Sequence, residues 1–226
     1  PASDGLNRPD GNTDSYFMWL GSDGKLYAPG ASVPADVTKL TAQFALSEQF
    51  SLTPGDTYYF DLSGASIPGT VNGNLPDSTL HYVPFTYAGT VNAYSRNSEG
   101  VSTDDTVKPY DHSLFVADYA VTHTVNWNNL DTASLIFGKN YASGGVGYTL
   151  RAPSCGSGFT GSGNSERGTP QSNEWDTMLN KGSGYIQNCN GMFSWGQDVS
   201  SGGASSRAVR GYGSARYWSN YYATSS

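Results

Sequence analysis

Near the end of the chain, residues 205–226 read SSRAVRGYGSARYWSNYYATSS. The stretch holds Arg207, Arg210 and Arg216, four tyrosines (Tyr212, Tyr217, Tyr221 and Tyr222) and Trp218, with no carboxylate. Tyr, Ser, Asn and Gly beside Arg is the composition of antibody-like binding surfaces. There Tyr supplies contact area at low entropy cost and Ser and Asn supply adaptable hydrogen bonds. Tyrosines packed this densely, with almost no aliphatic neighbours, lack the partners that would make them all core. They are expected to lie exposed on one face, together with Ser219 and Asn220. The arginines are expected to be framework, because a guanidinium fork ties several carbonyls or carboxylates together.

Upstream of the tail one helix is signalled. Thr169-Pro170 and Ser172 offer starts, Glu174 and Asp176 put negative charge in the first turn, and Trp175, Met178 and Leu179 share a face. Gly182 ends it. Cys155 and Cys189 are the only cysteines. They exclude a thiolate zinc cage and leave one bridge open, which would close a loop of about 35 residues. Gly156 to Gly161 fits G-x-G-x-x-G, but Gly, Ser and Asn follow where a helix would have to open. A flexible loop is expected there rather than a dinucleotide site.

The first 46 residues read as a small β unit. Tyr16–Leu20 is a strand, Ser22-Asp23-Gly24-Lys25 a turn, Leu26-Tyr27 a short strand, and 37–44 an alternating strand. Aromatic and β-branched runs at 57–62, 79–87 and 114–121 predict further strands. Ser134–Phe137 and Val146–Arg151 frame a Gly-rich connection, and 95–108 is a polar loop.

The whole chain has 226 residues and a net charge of −7, with 14% charged and 13% aromatic residues. The acidic balance argues against a nucleic-acid partner, which needs a basic patch. No apolar run is long enough to insert into a membrane. Low charge with 28 Gly and 16 Tyr points to a loop-rich extracellular protein. His81, His112 and His123 form no metal or nucleophile motif and read as structural. Asp104, Asp105, Asp111 and Asp118 admit a glycosidase pair, and Asp104 with Asp105 a Ca²⁺ site, though without EF-hand spacing. Their ordinary reading is a solvated loop. No metal, cofactor or catalytic group is expected.

Two resemblances add to this. The stretch FMWLGSDGKLYAPGASVPADVTKLTAQF (17–44) looks like the second half of an internalin-type B-repeat. That resemblance implies a surface-protein spacer. Leu150-Arg151-Ala152-Pro153-Ser154, Asn173-Glu174-Trp175-Asp176, Phe193-Ser194-Trp195-Gly196, and Arg207-Ala208-Val209-Arg210-Gly211 with Ser214-Ala215-Arg216 then follow in order. They resemble the landmarks of the C-type lectin fold in its formylglycine-generating-enzyme-like branch. Val125-Asn126-Trp127-Asn128-Asn129 weakly resembles the start of an earlier helix of that branch. The branch usually closes with Gly-Phe-Arg and a final strand; that motif is not met by Ser226. Its oxidase members need active cysteines or a copper-binding pair near the end, and Cys155 and Cys189 fall elsewhere.

Within that branch the tail is similar to the variable region of diversity-generating-retroelement target proteins. The resemblance implies a displayed set of Tyr212, Gly213, Tyr217, Ser219, Asn220, Tyr221, Tyr222 and Ser225, and a framework of Arg207, Arg210, Arg216, Trp175, Trp195 and Trp218. The resulting expectation is an α+β, C-type lectin-like fold with few short helices, many short strands and long loops. A B-repeat-like unit (1–46) precedes a ligand-binding domain (47–226) whose variable-like segment spans about 187–226. The expected function is non-enzymatic binding of a protein or glycan, on a bacterial surface or phage particle. The alternatives are a carbohydrate-active enzyme using acidic residues at 99–118, or a structural spacer.

Overall fold

Aromatic and β-branched residues interrupted every few positions by Gly, Pro and Asn favour many short strands over a few long ones. A computed structural model describes residues 16–27, 32–44, 53–92, 111–143, 146–182, 184–186 and 191–226. Strands β1 (Tyr16–Gly21), β2 (Leu26–Tyr27) and β3 (Leu40–Phe44) form an antiparallel sheet in the order β2-β1-β3. Gly24, at φ +78°, makes the turn between β1 and β2.

Next come β4 (Thr57–Phe60), β5 (Thr70–Val71), β6 (Val83–Val91), β7 (His112–Ala117) and β8 (Thr122–His123). They pair as a β4-β6-β7 sheet and a β5-β8 ladder. The β6–β7 register shifts between Tyr87 and Gly89, where Gly89 takes φ +82° and a Cβ would stand 3.0 Å from Pro54. Helix α1 (Trp127–Thr132) is capped by Asn126, whose side chain accepts from the Asn129 amide. The hairpins β9 (Lys139–Ser143) with β10 (Val146–Leu150), and β11 (Gly158–Thr160) with β12 (Arg167–Thr169), follow. Helix α2 (Glu174–Lys181) then leads into a sheet of β13 (Phe193–Val199), β14 (Ser206–Gly211) and β15 (Trp218–Tyr222), with β14 in the middle.

The expected α+β, C-type lectin-like fold class does not hold; only its few short helices and many short strands fit. Among the described residues two helices of six and eight residues stand against fifteen strands, so the chain is predominantly β. The helices are too short to form a layer of their own, and every described sheet has two or three strands. Two strand expectations shift for local reasons. The run at 79–87 enters β6 only at Val83, because Leu80 turns the backbone at φ +61°. Ser134, also at φ +61°, makes 134–137 a turn, and β10 pairs with β9 instead. The glycine motif at 156–161 contributes to the β11–β12 hairpin rather than a flexible loop.

Two hydrophobic clusters hold these elements. One gathers Tyr58, Phe60, Leu62, Val83 and Phe85, with Phe60 edge-on to Phe85 (5.0 Å) and to Phe115 (5.7 Å). The other gathers Ala88, Cys155, Trp175, Met178, Ala208 and Trp218. Cys155 is a free, fully buried thiol whose pKa burial pushes up, and Cys189 lies outside the described residues. Gly196 must lack a side chain because a Cβ there would meet the Cys155 Sγ at 2.7 Å. No helix among the described residues is long and apolar enough to cross a membrane.

Candidate functional site

The C-terminal sheet derives its rigidity from charges buried beneath it. Helix α2 begins at Asn173, whose Oδ1 accepts from the Asp176 amide at 2.9 Å, the N-cap pattern. This is one residue beyond Ser172, and the Asn-x-x-Asp spacing was the available signal. Asp176 is fully buried and accepts from the Gly168 amide (2.6 Å), Asn173 Nδ2 (2.7 Å), both terminal nitrogens of Arg210 (3.1 and 3.0 Å) and Arg216 (3.2 Å). Arg210 is itself fully buried, donates to the carbonyls of Cys155 and Arg216, and lies over the Trp175 ring. Arg216 also reaches Asn180, and burial together with its cationic neighbours Arg167 and Arg210 lowers its pKa.

A second knot pins the same first turn of α2. Glu174 is buried and is held by the Arg151 guanidinium, by His112 Nε2 at 2.7 Å and by the Ser154 amide at 3.0 Å. Burial alone would raise its carboxyl pKa. The bonds from Arg151 and His112 and the Arg151 charge outweigh that and hold it well below the usual range.

The remaining framework residues tie loops to the sheet. Trp175 Nε1 donates to Ala215 O (2.8 Å), Trp195 Nε1 to Val125 O (2.9 Å), and Trp218 Nε1 to Gly156 O (3.1 Å). Arg207 lies with its guanidinium 4.3 Å over the Trp127 ring and donates to Ala204 O. Strand alternation thus sends Ala208 and Arg210 toward α2, and Arg207 and Val209 toward α1.

Above this base the tyrosines divide. Tyr212, Tyr217 and Tyr221 are exposed (55%, 37% and 43%) and gather around the Phe193 ring, with centroids 5.0, 6.1 and 5.1 Å away. Tyr222 is also exposed, but alternation along β15 puts it on the opposite side from Tyr221, with Asn220 and Trp218. The expected single face is therefore two. Gly213 is exposed beside Tyr212, and Ser219 is half-buried opposite Val209. Phe193, the ring at the centre of the cluster, enters the sequence reading only as part of the Phe193-Ser194-Trp195-Gly196 landmark and not as a site residue. Its place two residues before Trp195 on an alternating strand was the signal.

Tyr212 has an unusual backbone. Its φ is +74°, a region that costs a side-chain-bearing residue about 1–2 kcal/mol. Its amide donates to Met192 O (2.7 Å) and its carbonyl accepts from the Gly191 amide (2.8 Å), so the turn is fixed from both sides.

Tyr212, Tyr221 and Ser225 stand at a cleft of about 820 Å³ between this sheet and residues 120–125. Phe193, Trp195, Asn72 and His123 also line it. The arginine on its wall, Arg151, is paired with Glu174, leaving the His123 imidazole, aliphatic and aromatic side chains, amides and hydroxyls.

Of the candidate catalytic carboxylates, the two described ones, Asp111 and Asp118, lie at opposite ends of β7 and do not form a pair. Asp118 is buried, accepts from Thr86 Oγ1 at 2.6 Å and has its pKa raised by burial; Asp111 is exposed; Asp104 and Asp105 lie outside the described residues. His81 contacts Asp61, and His123 contacts Thr124. Among the described residues no three His, Cys, Asp or Glu side chains converge as a metal set. No protein-family model matches this chain, and neither a curated protein nor a solved structure matches it significantly.

Proposed function

We propose that the chain binds an extracellular protein or glycan ligand through Tyr212, Tyr217 and Tyr221, without chemistry of its own. The observation that carries this reading is their exposure around Phe193, with Tyr212 and Tyr221 at the mouth of the cleft, beside strands anchored beneath by Arg210 and Asp176. Exposed aromatic clusters of this kind are rare on surfaces that do nothing. The tail remains similar to the variable region of retroelement-diversified binding proteins, and residues 17–44 to a B-repeat spacer. Both likenesses favour display on a bacterial surface or phage particle.

The test is a glycan array run beside capture of surface proteins, with Tyr212→Ala/Tyr221→Ala as the comparison. Binding to either class that the double variant loses while staying folded supports the reading. Binding that the variant retains overturns it. Sequences of related copies should vary chiefly at the eight displayed positions and not at Arg210 or Trp218; variation spread evenly along the chain would remove the retroelement resemblance.

A further inference from the structure

The two hydrophobic clusters do not close on one another. Between them lies a pocket of about 410 Å³, with Phe60 and Phe85 of the first cluster on one side and Trp175 and Met178 of the second on the other. Leu114 and Val116 of β7 line it, and Ile186 lies beyond α2. Protein interiors pack to crystal density with few voids larger than a water molecule, whereas small-molecule sites run to roughly 300–1,000 Å³. A void of this size, walled mainly by rings and aliphatic side chains, is the size of a ligand site and not of a packing defect.

Its polar end defines the charge of the occupant. Arg151 and His112 line the pocket there, but both are bound to the buried Glu174. An anion entering would meet Glu174 behind them, and a cation would meet Arg151. The pair is already satisfied, so neither sign gains a partner to offset its desolvation. The rest of the wall is mainly apolar, with hydroxyls at Ser113, Thr149 and Ser194 as its neutral polar groups, and so favours an uncharged, largely apolar occupant.

We infer that this pocket is a second ligand site, separate from the tyrosine rim, for an uncharged aromatic or alicyclic molecule. The two voids share a wall of seven residues, Leu62, Ala120 and Val121, Leu150 and Arg151, and Met192 with Ser194, yet Val116 and Ile186 line only the inner one and Tyr212 and Tyr221 only the outer. Substitutions therefore separate them.

The probe is N-phenyl-1-naphthylamine, neutral and fluorescent in apolar surroundings, titrated into the whole chain. Saturable one-to-one enhancement is expected, with a rise of the unfolding midpoint at saturation. Val116→Phe and Ile186→Phe fill the pocket from two sides, and each should weaken the probe about tenfold or more. Tyr221→Ala should leave its affinity unchanged. Absence of saturable binding, undiminished binding in a folded filling variant, or loss of binding in Tyr221→Ala would each overturn the assignment. A measurement on the unaltered chain guards against filling variants that fail to fold. Benzophenone, also neutral, should on irradiation label the peptide holding Met178, and labelling confined to residues 212–222 overturns the site.

Discussion

At Arg210 a guanidinium with no solvent exposure shares Asp176 with Arg216 and leaves its Nε without a hydrogen-bond partner among the described residues. Removing the guanidinium strands a buried carboxylate with one arginine instead of two. Breaking such a pair costs about 3–5 kcal/mol, far more than a surface ion pair. Arg210→Met should therefore lower the unfolding midpoint by about 10 °C or more. A shift within a few degrees would mean that the network is not what holds the sheet. Glu174 gives a pH signature. Its folded pKa lies below the unfolded value, so its stabilisation is fully present at neutral pH and is lost as pH falls below about 4.3 toward the folded value. Glu174→Gln should be less stable than the parent at pH 7, and the difference should shrink steadily below pH 4. Parallel midpoint curves from pH 7 to 3 would contradict the assignment. Neither carboxylate was legible as a network member from spacing. Their partners Arg151, Arg210 and Arg216 lie more than 20 residues away in sequence, and only the fold brings them together.

Strand β14 carries the argument at the next scale. Its alternate residues face α2 and α1, and the chain leaves it at Gly211 (φ +109°) into the left-handed Tyr212. Because this turn presents Tyr212 to Phe193, two opposed terms act on its ring. The left-handed backbone costs about 1–2 kcal/mol, and the stacked ring returns about 0.5–1.5 kcal/mol. Tyr212→Gly should accordingly move the unfolding midpoint by less than about 3 °C, while weakening capture of whatever ligand the arrays identify. A fall of about 10 °C would mark the ring as core. Helix α2 was readable in the sequence to within a residue or two, since its charges and Gly182 are local signals. The start of β6 was not, because the positive φ of Leu80 comes from the surrounding turn and not from leucine's own preference. The same holds for the two faces of β15. Composition foretold exposed tyrosines, but only the register against β14 separates Tyr221 from Tyr222.

Across the whole molecule the tail's chemistry depends on distant segments. Arg151 and Ser154 follow β10, Gly156 precedes the β11–β12 hairpin, Glu166 lies in its connection, and α2 supplies Glu174 and Asp176; each bonds to the sheet or to its support. This dispersion is why a chain of short sheets, with helices too small for a layer, can still fix a surface. The β2-β1-β3 sheet stands differently. Among the described residues its strands pair only with one another, its turn is closed by Tyr27 Oη donating to Asp23 at 2.6 Å, and Ser22 Oγ accepts from the Thr38 amide at 3.0 Å. Among the described residues, none of the bonds that hold Arg210, Asp176 or Glu174 involves residues 16–27 or 32–44. A chain starting at residue 47 should therefore keep the near-ultraviolet circular dichroism of the packed tryptophans and tyrosines of the remainder. Its unfolding midpoint should lie within about 3 °C of the full chain's, since only changes above roughly 1 kcal/mol move a domain of this size further. It should also bind the same array ligands with the same loss in Tyr212→Ala/Tyr221→Ala. A midpoint lower by about 10 °C, or ligand binding lost with the fold intact, would show that the first sheet is part of the binding unit and not a spacer.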